Sequence, residues 1–246
     1  MTDLHVHTFF CDGQCSPEEA VRSSLRRGVT RLGLVAHSYV PFDGCCIRPE
    51  DIKPFQQEVA RLKYEYRGQI DIYCGIEVDL YSTQSMGGFD YSIGSVHYLK
   101  QGDSYFAIDD TPEILRKLID VYYGGDAVAC AIGYFKAVAL LKEKHPDFIG
   151  HFDLIKKFRS VIPLNEHDPR YVGAWQDAAL ELLKLGKPFE VNTGGISRGW
   201  LDEPYPSWDI ADFILKNGGR LLLSSDAHCA ADICGEFERF ANWTVH

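Results

Sequence analysis

The sequence predicts an α/β fold, a parallel sheet closed into a barrel with its helices outside, and three observations carry that prediction. Short apolar runs at 3–8, 32–37, 70–78, 91–99, 148–154, 189–193 and 221–226 alternate with helix-patterned stretches, as a parallel sheet requires when each crossover is a covering helix. Metal-ligand residue types gather in or just after those runs: His5, His7, Asp12, His37, Glu77, His97, His151, Asp226 and His228. The first and last runs each supply a pair at i and i+2, His5 with His7 and Asp226 with His228. Alternate strand residues share a face, so each pair points one way. A doubly wound open sheet fits the alternation equally well, but its first and seventh strands need not be neighbours. Closure makes them neighbours, and barrel sites of this kind lie at the carboxyl ends of the strands. The 246 residues hold no evident linker, repeat or low-complexity tract. One domain over 1–246 is the economical reading, since such barrels often run to ~200–250 residues.

The helices follow from local signals. Ser16-Pro17-Glu18-Glu19 joins an N-cap serine, proline at the first helical position and a capping-box glutamate, so a helix should run from there to about Arg27 and stop at Gly28. Residues 50–66 keep an amphipathic period after Pro49. Thr111 to Lys144 reads as two helices, broken at Gly124-Gly125 and ended before Pro146. Further helices fit Tyr171–Leu185 and Ser207–Asn217, with Gly186 and Gly218 just past their ends.

Composition narrows the partners. A formal charge of −10 argues against a general nucleic-acid binder, which needs a basic face. No run approaches the ~20 apolar residues of a membrane span, and no secretory segment opens the chain. The eight cysteines show no C-x-x-C spacing and read as reduced thiols of a cytoplasmic protein, although Cys11 and Cys229 flank proposed ligands. The expected partner is a small-molecule phosphomonoester, with oligomeric state left open.

Nine ligands exceed what one cation takes, about three or four, and suit two or three divalent ions. Histidine-rich sets favour zinc, manganese or iron over calcium or magnesium. Glu77, with histidines on the strands to either side in sequence, is the natural bridge. Two bridged metals ~3.5–4 Å apart activate a shared water and stabilise both oxygens of an in-line displacement. Hydrolysis at phosphorus is therefore the expected chemistry. A phosphate also needs cationic clamps, and Arg159, beyond the run at 148–154, and Arg198, in the glycine-rich stretch 192–199, are the candidates, because guanidinium forks match phosphate oxygens. Divalent cations would also make the site positive inside an acidic protein, drawing a small dianion rather than a long polyanion.

Blander readings apply to other residues. Taken singly, a strand histidine is more often a hydrogen-bonded core residue than a ligand; the paired motifs and the shared strand-end position argue otherwise here. Asp3 shares the face of His5 and is either a hydrogen-bond partner to the ligands or a solvent-facing acid. His145, His167 and His246 read as non-ligands, Asn192 as a residue that could face the site, and Trp200, Tyr205 and Trp208 as packing residues before pocket walls.

The chain resembles the polymerase-and-histidinol-phosphatase (PHP) superfamily, and more closely its histidinol-phosphate phosphatase branch. The carriers are Asp3-Leu4-His5-Val6-His7-Thr8, Cys11-Asp12-Gly13, His37-Ser38, Gly75-Ile76-Glu77-Val78-Asp79, Gly94-Ser95-Val96-His97, Gly150-His151-Phe152-Asp153 and Ser225-Asp226-Ala227-His228. The resemblance implies a distorted (β/α)7 barrel of the TIM-like PHP type with three metals at the C-terminal strand ends. His5, His7, Glu77 and Asp226 would hold one metal, Glu77, His97 and His151 a second, and Asp12, His37 and His228 a third. Some superfamily members carry histidine where this chain has Asp12. The implied reaction is hydrolysis of L-histidinol phosphate, a step of histidine biosynthesis, by a metal-bridging hydroxide, with Glu77, Asp226 and His228 as catalytic residues and Arg159 and Arg198 as clamps. The alternatives are a phosphoesterase for a nucleotide or phosphotyrosyl peptide, and a metal-binding module without catalysis.

Overall fold

A computed structural model describes residues 1–243; His246 lies outside the described residues. Seven strands form one sheet: β1 (Thr2–His7), β2 (Arg31–His37), β3 (Asp71–Asp79), β4 (Tyr91–Ser95), β7 (Phe148–Ile149), β8 (Phe189–Asn192) and β9 (Leu221–Ser224). They pair in that order and every pairing is parallel. The sheet then closes on itself just past β9. Ala227 bridges to Val6, with His7 N donating to Ala227 O at 2.8 Å and Ala227 N to His5 O at 3.2 Å. The predicted barrel is the observed one, and the seam lies at the two ligand pairs.

The helices lie between strands where the capping signals put them. In α1 (Pro17–Arg26) Ser16 and Glu19 form the reciprocal capping box, and Gly28 beyond it takes φ +74°, a left-handed conformation that costs glycine little. Helix α2 is Ile52–Glu65. Thr111 caps α3 (Pro112–Tyr122) and Asp126 caps α4 (Ala127–Ala139). Helix α5 (Pro169–Leu183) starts two residues before the expected Tyr171, because Asp168 accepts from Arg170 N and Pro169 takes the first helical position. Helix α7 is Trp208–Lys216.

Three expectations need correction. The run at 91–99 is not one strand: it breaks after Ser95, and Tyr98–Gln101 (β5) pairs with Ser104–Ala107 (β6) as a separate antiparallel hairpin. The run at 148–154 contributes only two strand residues before the chain turns at His151 and enters a 3-10 turn at Leu154–Lys156. The glycine-rich loop holds one short helix, α6 (Gly194–Ser197).

Inside the barrel, Val35, Ile93 and Phe148 pack with Leu4, Tyr91 and Leu222. The Tyr91 ring lies so close over β3 that a Cβ on Gly75 would come within 2.4 Å of it. Only glycine lets that ring cross, and its hydroxyl donates to Leu4 O at 2.6 Å. Two larger apolar clusters join the outer faces of the strands to the helices. No single described helix is long and apolar enough to cross a membrane.

Candidate metal centre

Six strands deliver the cluster at their carboxyl ends. His5 and His7 come from β1, His37 ends β2, Glu77 lies near the end of β3, His97 follows β4, His151 follows β7, and Asp226 and His228 follow β9; Asp12 sits in the turn after β1. Barrel closure brings the two paired motifs together, with His5 Nε2 and His7 Nε2 at 3.6 and 3.4 Å from Asp226 Oδ1. Asp226 holds φ at +51°, a strained value for a residue with a Cβ and of the kind that gathers at functional sites.

Glu77 occupies the middle. Its Oε1 lies 2.8 Å from His151 Nε2 and 3.3 Å from His97 Nε2. Its Oε2 lies 2.9 Å from His37 Nδ1, 3.3 Å from His5 Nε2 and 3.4 Å from His7 Nε2. Asp12 faces His37 Nε2 at 3.5 Å and His228 Nε2 at 3.3 Å. All nine sequence-predicted ligands therefore meet in one place.

The donor set fits divalent cations. Three groups bring their ligand atoms within 4.8 Å of one another: His7, Asp12, His37 and His228; His5, His7 and Glu77; His37, Glu77 and His97. Glu77 Oε2 is buried and accepts no hydrogen bond although three imidazole nitrogens surround it, because these groups converge on common points rather than on each other. His5 Nε2 and His7 Nε2 stand 3.0 Å apart, and His97 Nε2 and His151 Nε2 3.2 Å apart. Two such nitrogens cannot both carry protons at that distance without repulsion, whereas lone pairs aimed at a shared cation suit it.

Buried acids set the ring orientations. Glu190 accepts from His5 Nδ1 at 2.6 Å, from His151 N at 2.8 Å, from Asn192 Nδ2 at 2.9 Å and from the Ser224 hydroxyl. Asp79 faces His97 Nδ1 at 3.3 Å and accepts its backbone N–H at 3.0 Å. A ligand histidine held at Nδ1 by a carboxylate presents Nε2 to the metal with raised basicity. Neither acid was singled out from the sequence, yet both left a signal: Glu190 is an acid inside an apolar strand, and Asp79 shares the face of Glu77. Asn192 does face the site, donating to Asp226 Oδ2 at 3.2 Å. Asp3 is not a partner to the rings. It is fully buried and accepts from Ser225 N, Ser225 Oγ and Cys234 N at 3.1, 2.6 and 3.0 Å, latching the seam. Cys11 Sγ stands 3.3 Å from His7 Nδ1.

Electrostatics reflect this crowding. Burial alone would push the Glu77 carboxyl up, but the imidazoles of His5, His37 and His97 hold it well below the ordinary carboxylate range. Burial would likewise lower His5, His37 and His97, yet the carboxylates around them raise all three well above the usual imidazole value.

The centre opens into a cleft of ≈ 450 Å³ whose lining includes Arg198 and Lys157. Arg198 donates to Asp226 Oδ2 at 3.1 Å and to Asp226 O at 3.0 Å. Arg159, expected as the other clamp, is not brought there. Its guanidinium is taken by Glu166, Asp202 and Glu203, because the 3-10 turn after β7 points Lys157, not Arg159, inward. Of the predicted packing aromatics, Tyr205 is buried while Trp200 and Trp208 are part-exposed. His145 and His167 are exposed, away from the cluster.

A family model for the PHP domain matches residues 3–194, which include seven of the nine predicted ligands. The chain belongs to the PHP domain family. Among PHP relatives, the histidinol-phosphatase of Bacillus subtilis is 26% identical over 97% of this chain and 97% of its own length. The PHP barrel also superposes on solved structures. One, from Listeria monocytogenes, carries a provisional histidinol phosphatase assignment (TM-score 0.86, 19% identity, 98% of this chain and 100% of that one). Another is the histidinol phosphate phosphatase of Lactococcus lactis, solved with zinc, L-histidinol and phosphate (TM-score 0.72, 17% identity, 100% of this chain and 94% of that one).

Proposed function

We propose that this protein is a metal-dependent phosphomonoesterase that hydrolyses L-histidinol phosphate to L-histidinol and phosphate. The observation that carries the reading is the gathering of nine candidate ligand side chains, five of them histidines facing the carboxylate of Glu77, at the floor of a cleft lined by Arg198 and Lys157. The extended similarity to the Bacillus subtilis histidinol-phosphatase supports the substrate. So does the cleft wall, where Asp43, Asp109 and Asp110 supply negative charge suited to an ester with an ammonium group and unfavourable to a nucleotide.

In this reading His5, His7, Glu77 and Asp226 hold one divalent transition-metal ion, Glu77, His97 and His151 a second, and Asp12, His37 and His228 a third, with zinc, manganese or iron as the candidates. When bound, such ions lower the pKa of water and draw charge from phosphoryl oxygens. The chain's own groups do the rest. Glu77 fixes the spacing of the histidines on both its oxygens. Asp226 is itself fixed by Asn192 and Arg198, and joins the His5/His7 pair to His228, whose Nδ1 lies 2.9 Å from Asp226 O. Arg198 and Lys157, which both line the cleft, would neutralise phosphate oxygens as charge builds. Lys157 thereby takes the clamp role first given to Arg159. A single domain in the cytoplasm, with eight free cysteines, completes the proposal.

Elemental analysis and a phosphomonoester panel test it together. Purified protein should carry more than one transition metal per chain, lose activity to a chelator and recover it on metal addition. Its kcat/KM should be highest for histidinol phosphate. Preference for a nucleotide or phosphotyrosyl peptide would replace the substrate, and no turnover with any divalent metal would leave a binding module.

A further inference from the structure

We propose that Glu203 is a positioning residue that, gripped by Lys156 and Arg159, aims Lys157 into the cleft and so sets how tightly phosphate is held; this rests on the phosphomonoesterase reading above. Lys156 has no exposed surface. Its ammonium lies 2.9 Å from Asp153 Oδ2, 3.3 Å from Glu203 Oε1 and 2.9 Å from Pro204 O. An unpaired buried charge is costly, and these three oxygens match the three donors of the ammonium. The chain is thereby pinned at Lys156.

Arg159 pins it again on the far side of Lys157. One guanidinium nitrogen is shared by Glu166 and Glu203, and the other reaches Asp202 at 2.6 Å. Lys157 is thus flanked by two residues held by the same carboxylate. Of Lys156, Lys157 and Arg159, only Lys157 lines the cleft, where its ammonium donates to Asp109 O at 2.5 Å and stands 3.6 Å from Asp109 Oδ2.

Glu203 also belongs to the loop that follows Arg198. That loop is tied to the end of β8 by Asn192 N donating to Tyr205 O at 2.6 Å and Tyr205 N to Asn192 O at 2.9 Å. It is tied to the first loop again by Ser207 N donating to Asp153 Oδ2 at 2.9 Å. One carboxylate therefore couples the two loops that bear the cleft's cations. A lysine side chain loses much rotamer freedom when it grips a phosphate. Fixing its backbone in advance lowers that loss.

The test compares wild type with Glu203→Gln, Lys157→Ala and the double variant. It reads the Kd of inorganic phosphate by calorimetry on metal-loaded protein, metal per chain, and KM and kcat. Glu203→Gln should raise phosphate Kd and KM together by about tenfold, with kcat within about twofold and metal retained. Lys157→Ala should do at least as much, and the double variant no more than Lys157→Ala, since the two act in series. Unchanged phosphate Kd, loss of metal, or effects that multiply in the double variant would overturn the proposal. If Glu203→Gln does not fold, Arg159→Lys keeps the charge and loses the fork; its phosphate Kd should rise, and an unchanged value overturns the proposal equally. Phosphate Kd needs no turnover, so a protein indifferent to histidinol phosphate would sink the substrate while leaving the role of Glu203 decided.

Discussion

Glu77 is the residue on which the cluster turns, because each of its oxygens faces two or three imidazoles and no other described side chain meets five of the histidines. Glu77→Ala should release metal and lower kcat by ~10³-fold or more, the scale of losing metal-assisted chemistry; elemental analysis alongside the assay checks that the two losses coincide. The histidines predict a pH effect. In metal-free protein the neighbouring carboxylates keep His5, His37 and His97 protonated above the usual imidazole range. A cation must displace those protons, so affinity should fall as pH falls and binding should release protons. Calorimetry in two buffers of different ionisation enthalpy counts them; buffer-independent heats would contradict the raised values.

At the scale of elements, the loop after β7 decides which cation serves the cleft. Lys157→Ala should raise KM for a phosphomonoester by about tenfold, the loss of one charge-assisted contact, with metal unchanged; an unaltered KM would return the clamp role to Arg198 alone. The hairpin of β5 and β6 has a local signal in the sequence. Gln101-Gly102-Asp103-Ser104 is a two-residue turn with glycine at φ +59°, a known hairpin signal, but the continuous apolar run from 91 to 99 obscured it. The choice between Lys157 and Arg159 was not legible. Neither alternation nor a helical period governs a two-residue strand that breaks into a 3-10 turn, so side-chain direction there depends on Asp153 and Glu203, which are distant or unremarkable in sequence.

For the whole molecule, closure of the barrel is the step that makes a site. Asp3, itself fully buried, holds the seam by accepting three hydrogen bonds, two from Ser225 and one from Cys234. Asp3→Ala would strand those donors and should cost about 3 kcal/mol, at 1–3 kcal/mol for each unsatisfied buried group less relaxation. The urea midpoint of metal-stripped protein measures it, with metal affinity falling in parallel because His5 and Asp226 lie on either side of that seam. A midpoint like that of wild type would show that the backbone bridge between Val6 and Ala227 suffices.

The sequence by itself determined the alternation of strands and helices, the closed parallel barrel, and which nine residues are candidate metal ligands. Those follow from periodicity, capping and spacing, which are local properties written at fixed intervals along the chain. The tertiary structure alone decided that Glu190 and Asp79 orient the rings, that Asp3 latches the seam, and that Lys157 enters the cleft while Arg159 turns away to three carboxylates. Each of those depends on partners far apart in sequence, where hydrogen bonding and the cost of burying an unpaired charge, rather than any local period, select the direction of a side chain.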